Sequence, residues 1–113
     1  MILPLAALGC VILFAAGQIV FKVAADAGAA TGTFLAPRPA AITLAAFAMY
    51  GVASILWILL LQRAPLSRIY PFAGLAFVIV PVAAHFVLGD AIGARHLVGS
   101  VVIAVGVVVV VSA

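Results

Sequence analysis

Carboxylates are nearly absent from this chain. Its only acids are Asp26 and Asp90, and it contains no Glu. No two carboxylates are placed to share acid–base work, and no acid lies in the middle of a long apolar run. HExxH, CxxC, GxSxG and the Walker-type glycine loop are also missing. The sequence therefore predicts no enzyme, no metal and no other cofactor. The single Cys10 cannot close an internal disulfide, and its apolar surroundings do not indicate a redox compartment. Charge of either sign is scarce, at 6% of residues against ~25% in a soluble domain. The five cations are Lys22, Arg38, Arg63, Arg68 and Arg95, giving a net charge of +3. They are too few and too scattered for a nucleic-acid surface, but near membrane ends such charges suit anionic lipid head groups.

What fills the chain instead is hydrocarbon. Seventy per cent of its 113 residues are hydrophobic, where a soluble domain has roughly 45–50%. At this length no soluble fold could bury so much apolar surface, so the solvent is lipid. A helix crossing ~30 Å of hydrocarbon needs about 20 apolar residues. Four stretches qualify, at about 2–23, 39–62, 69–88 and 96–112. The last is rich in Val, but an isolated strand cannot satisfy its backbone in lipid, so a helix is predicted there too. The start lacks the basic residues of a signal peptide, because no Lys or Arg precedes Lys22. In "ALGC" (7–10) Leu8 stands where a lipoprotein signal needs a small residue. The N-terminal run is thus expected to be a retained span.

Three connectors separate the runs: "ADAGAATGTFLAPRP" (25–39), "RAPLSR" (63–68) and "GDAIGAR" (89–95). Short connectors make successive helices antiparallel neighbours. The expected fold is all-α, a single domain over 1–113 with four transmembrane helices in an up-down-up-down bundle. Arg63 and Arg68 fall at one boundary, Arg38, Arg95 and Lys22 at or near the other. Counts of two against two or three leave the positive-inside rule undecided. Either insertion is dual or a partner subunit sets it.

The polar residues carry the functional reading. Gln18 and Lys22 are four apart and share a helix face. Lys22 can snorkel to the interface from the last turn of its span. Gln18, one turn deeper, calls for an internal hydrogen bond or a wet cavity. Together they also suit a phosphate group. In "LQRAPLSRIYP" (61–71), Arg63 and Arg68 offer planar forks that bind phosphate through two hydrogen bonds, with Ser67 and Tyr70 nearby. The other reading of this stretch is an interfacial anchor with Tyr70 in an aromatic belt. Strict alternation of the helices puts it on the opposite face from Lys22. Pro81 removes a backbone donor within the third span and leaves the carbonyl near Phe77 unpaired, so a kink is expected. His85 is either a proton relay or a donor to nearby backbone. Gly99 and Gly106 lie seven apart on one stripe, which lets helices approach closely within or between subunits.

"GQIVFK" (17–22), "ILLLQRAPLSRIYPF" and "LGDAIGARHLVGSVVIAVGVVVV" resemble the short four-helix members of the drug/metabolite transporter superfamily, in order and over almost the whole chain. The small multidrug resistance branch resembles it at the glycine stripe. That branch, however, carries a buried glutamate eight residues before its helix-end lysine, and Phe14 stands there in this sequence. The subunits that flip aminoarabinose–phosphoundecaprenol across the bacterial inner membrane resemble it more closely. The matching positions are Gly17, Gln18, Lys22, Leu61, Gln62, Pro65, Tyr70, Pro71, Asp90, Arg95, His96 and Gly99, with Asp90 in place of the usual Glu. The resemblance implies a multi-pass inner-membrane flippase subunit for a polyprenyl-phosphate-linked sugar, working as a homodimer or with a similar small subunit. On that reading Gln18, Lys22, Arg63, Arg68, Tyr70 and His85 are the candidate substrate residues, Pro81 the kink, and Gly99 and Gly106 the oligomer interface. The alternatives are an exporter of cationic compounds and a structural subunit of a membrane complex.

Overall fold

The computed structural model describes residues 2–112. Within them the chain forms α1 (Ile2–Thr31), α2 (Pro37–Leu61), the one-turn α3 (Leu66–Ile69), a 3-10 segment (Tyr70–Leu75), α4 (Ala76–Leu88) and α5 (Ala94–Val111). Four helical stretches are long and apolar enough to cross a membrane: Ile2–Thr31, Pro37–Leu61, Leu66–Leu88 and Ala94–Val111. The fold is an all-α, up-down-up-down membrane architecture with no strand among the described residues.

α1 continues eight residues past the end at 23 that the sequence suggested. Ala24, Ala25, Ala27, Ala29 and Ala30 are good helix formers, so the composition shift at 25 does not stop the helix. The stop is Gly32, whose φ of 89° lies in the left-handed region that ends helices. The first connector therefore shrinks from 25–39 to 32–36. Pro37 and Pro39 then open α2, where their missing N–H groups cost nothing. The third span is helical from Leu66 but tightens into 3-10 geometry over Tyr70–Leu75, next to Pro71. Helical assignment runs unbroken through Pro81, so the irregular stretch of this span lies a turn or more before the proline.

The helices stand side by side. α1 packs along α2 on one flank and against α4 on the other, while α5 packs on the 3-10 segment and α4. The Cα atoms fit within 48 × 37 × 17 Å. A closed square of four helices at ~10 Å spacing would be about equally wide in two directions. Here one width is more than twice the other, as in a row of four.

The α1–α2 seam repeats at every seventh position, mostly with small residues. Cys10, Gly17 and Ala24 are buried on α1, and Ala46, Ala53 and Leu60 on α2. That is the period of left-handed helix pairing, and small side chains let backbones approach where lipid supplies no hydrophobic drive. The Cys10 thiol donates to the Ala53 carbonyl at 3.1 Å across the seam. Ala7, Cys10, Ala53, Leu60 and Ile69 form the buried cluster. Above it runs an aromatic ladder. Phe14 and Phe21 each lie 5.1 Å from the Tyr50 ring, Phe14 stacks edge-on against Trp57 at 6.4 Å, and Phe21 against Phe47 at 5.6 Å.

Candidate functional site

On the other flank of α1 a groove of about 510 Å³ opens between α1, α4 and α5. Gln18 lines it from α1, Ala76, Phe77, Val80 and Pro81 from α4, and His96, Gly99, Ser100 and Ile103 from α5. Its lining is mixed. His96 sits two residues inside the start of α5, and Ser100 is buried one turn further in. Ile103 and the α4 side chains complete the wall with hydrocarbon alone. Pro81 is part of this wall, and Gly99 keeps it open, since nothing lies within 4 Å of where its Cβ would be.

Gln18 is held by a neighbour that the sequence did not single out. Its side-chain amide donates to the Tyr50 hydroxyl, and Tyr50 is clamped between Phe14 and Phe21. Gly17 makes this possible. A Cβ there would lie 2.7 Å from the Tyr50 ring. "GQ" is thus one device, in which the glycine admits the tyrosine and the glutamine bonds it.

Lys22 lies one turn, ~6 Å, nearer the boundary on the same helix face as Gln18. Its ammonium is 2.9 Å from the Asp26 carboxylate, with both side chains more than half exposed. This is the ion pair of the described residues, and its two members fall on either side of the span end expected from the sequence. An exposed pair in the order Lys then Asp runs against the favourable orientation on a helix. The cation is consequently available to a stronger anion.

The remaining candidates lie elsewhere. Arg63 borders a second groove, of about 790 Å³, with Ile2, Leu3, Ala6, Gly9, Cys10, Leu56, Leu59 and Leu60. That groove is at the Ile2 end of α1, whereas Lys22 is 20 residues, or ~30 Å of helix, away. One chain cannot bring both cations to one head group. Arg68 is exposed in the last turn of α3, and Tyr70 is 63% exposed where α3 meets the 3-10 segment. His85 faces neither groove. Its Nδ1 lies 2.7 Å from the Asp90 carbonyl oxygen and ties the connector to the end of α4, where Gly89 turns at φ 75°. Of its two expected roles, the contact made is the backbone one. Gly106 is exposed, with open space where a Cβ would stand.

Sequence reasoning missed Tyr50 and Ser100, and it named His96 only as part of the family pattern. Tyr50 could have been found as the one hydroxyl-bearing ring inside the second span.

Comparison with known proteins gives consistent relatives. A Pseudomonas syringae pv. syringae protein is 36% identical over 93 residues, covering 80% of this chain and 83% of its own. A Proteus mirabilis protein is 30% identical over 92 residues, covering 81% of each chain. A Pseudomonas aeruginosa protein is 43% identical over 58 residues, and there the match spans about half of each chain. All three carry the name "Probable 4-amino-4-deoxy-L-arabinose-phosphoundecaprenol flippase subunit ArnE". No protein-family model matches the chain, and no solved structure matches it.

Proposed function

The chain belongs to the family of ArnE flippase subunits, and from that premise we propose that it moves a polyprenyl-phosphate-linked sugar between the leaflets of the bacterial inner membrane. In this reading it is a transporter subunit and not an enzyme, and it pairs with a second copy or with a similar small subunit. The groove between α1, α4 and α5 is the path. The observation that carries the proposal is its mixed lining. Gln18, His96 and Ser100 bring polar groups to a groove otherwise walled by Phe77, Val80, Pro81 and Ile103, with Lys22 one turn from Gln18 on the same helix face. A lipid-linked phosphate calls for both, with an anionic head and a long apolar tail.

The roles follow from chemistry. Lys22 leaves Asp26 for the phosphate, because a charge-assisted bond to phosphate is stronger than an exposed ion pair. Gln18, already oriented by Tyr50, supplies an amide to the head group. The tail stays on the apolar wall and against lipid, which the row-like layout leaves open. Arg68 and Tyr70 meet the head group at the opposite boundary, or at the same boundary from an inverted subunit. Gly99 keeps the groove open, and Gly106, exposed on α5, is left to meet the partner. Export of cations is disfavoured, because Asp26 and Asp90, the two carboxylates, are absent from the groove lining.

The test is binding of a short-chain polyprenyl phosphate to purified protein. Lys22→Gln and Gln18→Leu are each expected to weaken it at least about tenfold. Unchanged affinity in both variants would overturn the proposal.

A further inference from the structure

The second groove, between the start of α1 and the end of α2, has no part in the path just described. Its lining, Ile2, Leu3, Ala6, Gly9, Cys10, Leu56, Leu59, Leu60 and Arg63, shares no residue with the groove at Gln18. One groove is framed by α1 and α2, the other by α1, α4 and α5. A lipid travelling along one does not emerge in the other. We propose that the α1–α2 groove is a separate site for an anionic phospholipid of the bilayer, its phosphate on Arg63 and one acyl chain along the apolar floor. The site stands whether or not the chain moves lipids.

Three observations support it. First, the groove has the polarity of a phospholipid. Arg63 and Ile2 mark the boundary end. From there the lining runs inward to Cys10 on α1 and Leu56 on α2, ~10–12 Å of helix, with apolar side chains throughout. Its volume of about 790 Å³ lies within the ~300–1,000 Å³ range of ligand pockets.

Second, no acidic side chain lies at this end. Asp26 and Asp90 both lie towards the opposite boundary, Asp26 paired with Lys22 and Asp90 in the connector after α4. Arg63 and Arg68 are in or beside the connector after α2, and neither forms an ion pair among the described residues. A guanidinium at a membrane surface without an acid is a fitting partner for a phosphodiester, which accepts two of its N–H groups. Anionic lipid at the surface adds a long-range attraction.

Third, the floor has room. Nothing lies within 4 Å of where a Cβ on Gly9 would stand, so among the described residues no side chain fills this side of α1. The neighbouring turn is closed, with Ala7 and Cys10 buried in the seam. Gly9 and Arg63 both line the opening.

The experiment is native mass spectrometry of the full-length protein, extracted and then exchanged into an equimolar mixture of phosphatidylglycerol and phosphatidylcholine. The wild type is expected to retain one phosphatidylglycerol in about tenfold preference. Arg63→Gln should abolish the preference, and Lys22→Gln should leave it intact. Gly9→Leu fills the groove without touching the charge and should expel the bound lipid. Equal retention of both lipids by the wild type overturns the proposal, as does an Arg63→Gln protein that still prefers phosphatidylglycerol. So does a Gly9→Leu protein that still holds its lipid, because the phosphate would then be bound without the groove. If Gly9→Leu instead shifts the monomer–dimer distribution while lipid retention is unchanged, a second copy covers the groove and the proposal fails.

Discussion

Replacing Gly17 with Ala puts a single methyl group against the Tyr50 ring. The new Cβ would sit 2.7 and 2.8 Å from two ring carbons, where carbon atoms prefer ~3.5–4.0 Å. The ring must retreat by roughly 1 Å, which disturbs its two aromatic neighbours. Phe14 and Phe21 hold it on two sides with centroids at 5.1 Å, and each such pair contributes ~0.5–1.5 kcal/mol. Loosening both costs about 1–3 kcal/mol, in line with other overpacked cores. Ala offsets part of that loss, because it is a better helix former than Gly by ~1 kcal/mol. The net expectation is about 1 kcal/mol of destabilisation. The two effects separate in a double-mutant cycle, since the propensity gain is the same whether or not the ring is present. In a Tyr50→Ala background Gly17→Ala should become neutral or stabilising, giving a coupling of about 1–3 kcal/mol. Reversible unfolding in SDS provides the assay. Trp57 is the only tryptophan and stacks on Phe14, so its emission follows the separation of α1 from α2. An identical effect of Gly17→Ala in both backgrounds would refute the account of the seam.

Other perturbations test single contacts. Asp26→Asn releases the Lys22 ammonium, so polyprenyl phosphate should bind a few-fold more tightly at low salt, with the gain fading as salt screens it; a titration at two ionic strengths checks this. His85→Ala removes the tie to the Asp90 carbonyl and should lower stability by about 0.5–1.5 kcal/mol. It should leave lipid-phosphate affinity unchanged, since His85 lies outside the groove lining. Gly106→Leu meets open space within the chain, so monomer stability in SDS should hold while cross-linking of the assembled complex in membranes falls.

The existence of the four spans could be read from the sequence because lipid imposes a simple rule: a long apolar run must be a helix. Their ends were harder. Gly28 and the alanines around it look like a loop by composition, yet α1 runs through them to Gly32, because alanine favours the helix more strongly than one glycine opposes it. The arrangement in a row could not be read from hydrophobic periodicity, which needs a polar face to contrast with an apolar one; here both faces are apolar. The sign that was available is the seven-residue spacing of Cys10, Gly17 and Ala24 against Ala46, Ala53 and Leu60. At the site, the depth of Gln18 correctly called for a polar partner. Which partner depends on the register between α1 and α2, and Tyr50 is 32 residues away in the chain. The separation of Lys22 from Arg63 followed from strict alternation alone. The pairing of Lys22 with Asp26 is a plain i,i+4 relation, which composition hides by making residue 26 look like loop.

The central claim is that a lipid phosphate occupies the groove between α1, α4 and α5. It is tested most directly by placing a photo-reactive residue at Phe77 or Ile103, both in the groove lining, and at Val52, exposed on α2. Each protein is then irradiated in membranes with labelled polyprenyl phosphate. The account predicts labelling at 77 and 103 that excess unlabelled lipid phosphate competes away, with only background at 52. Equal labelling at all three positions, insensitive to competitor, would contradict it.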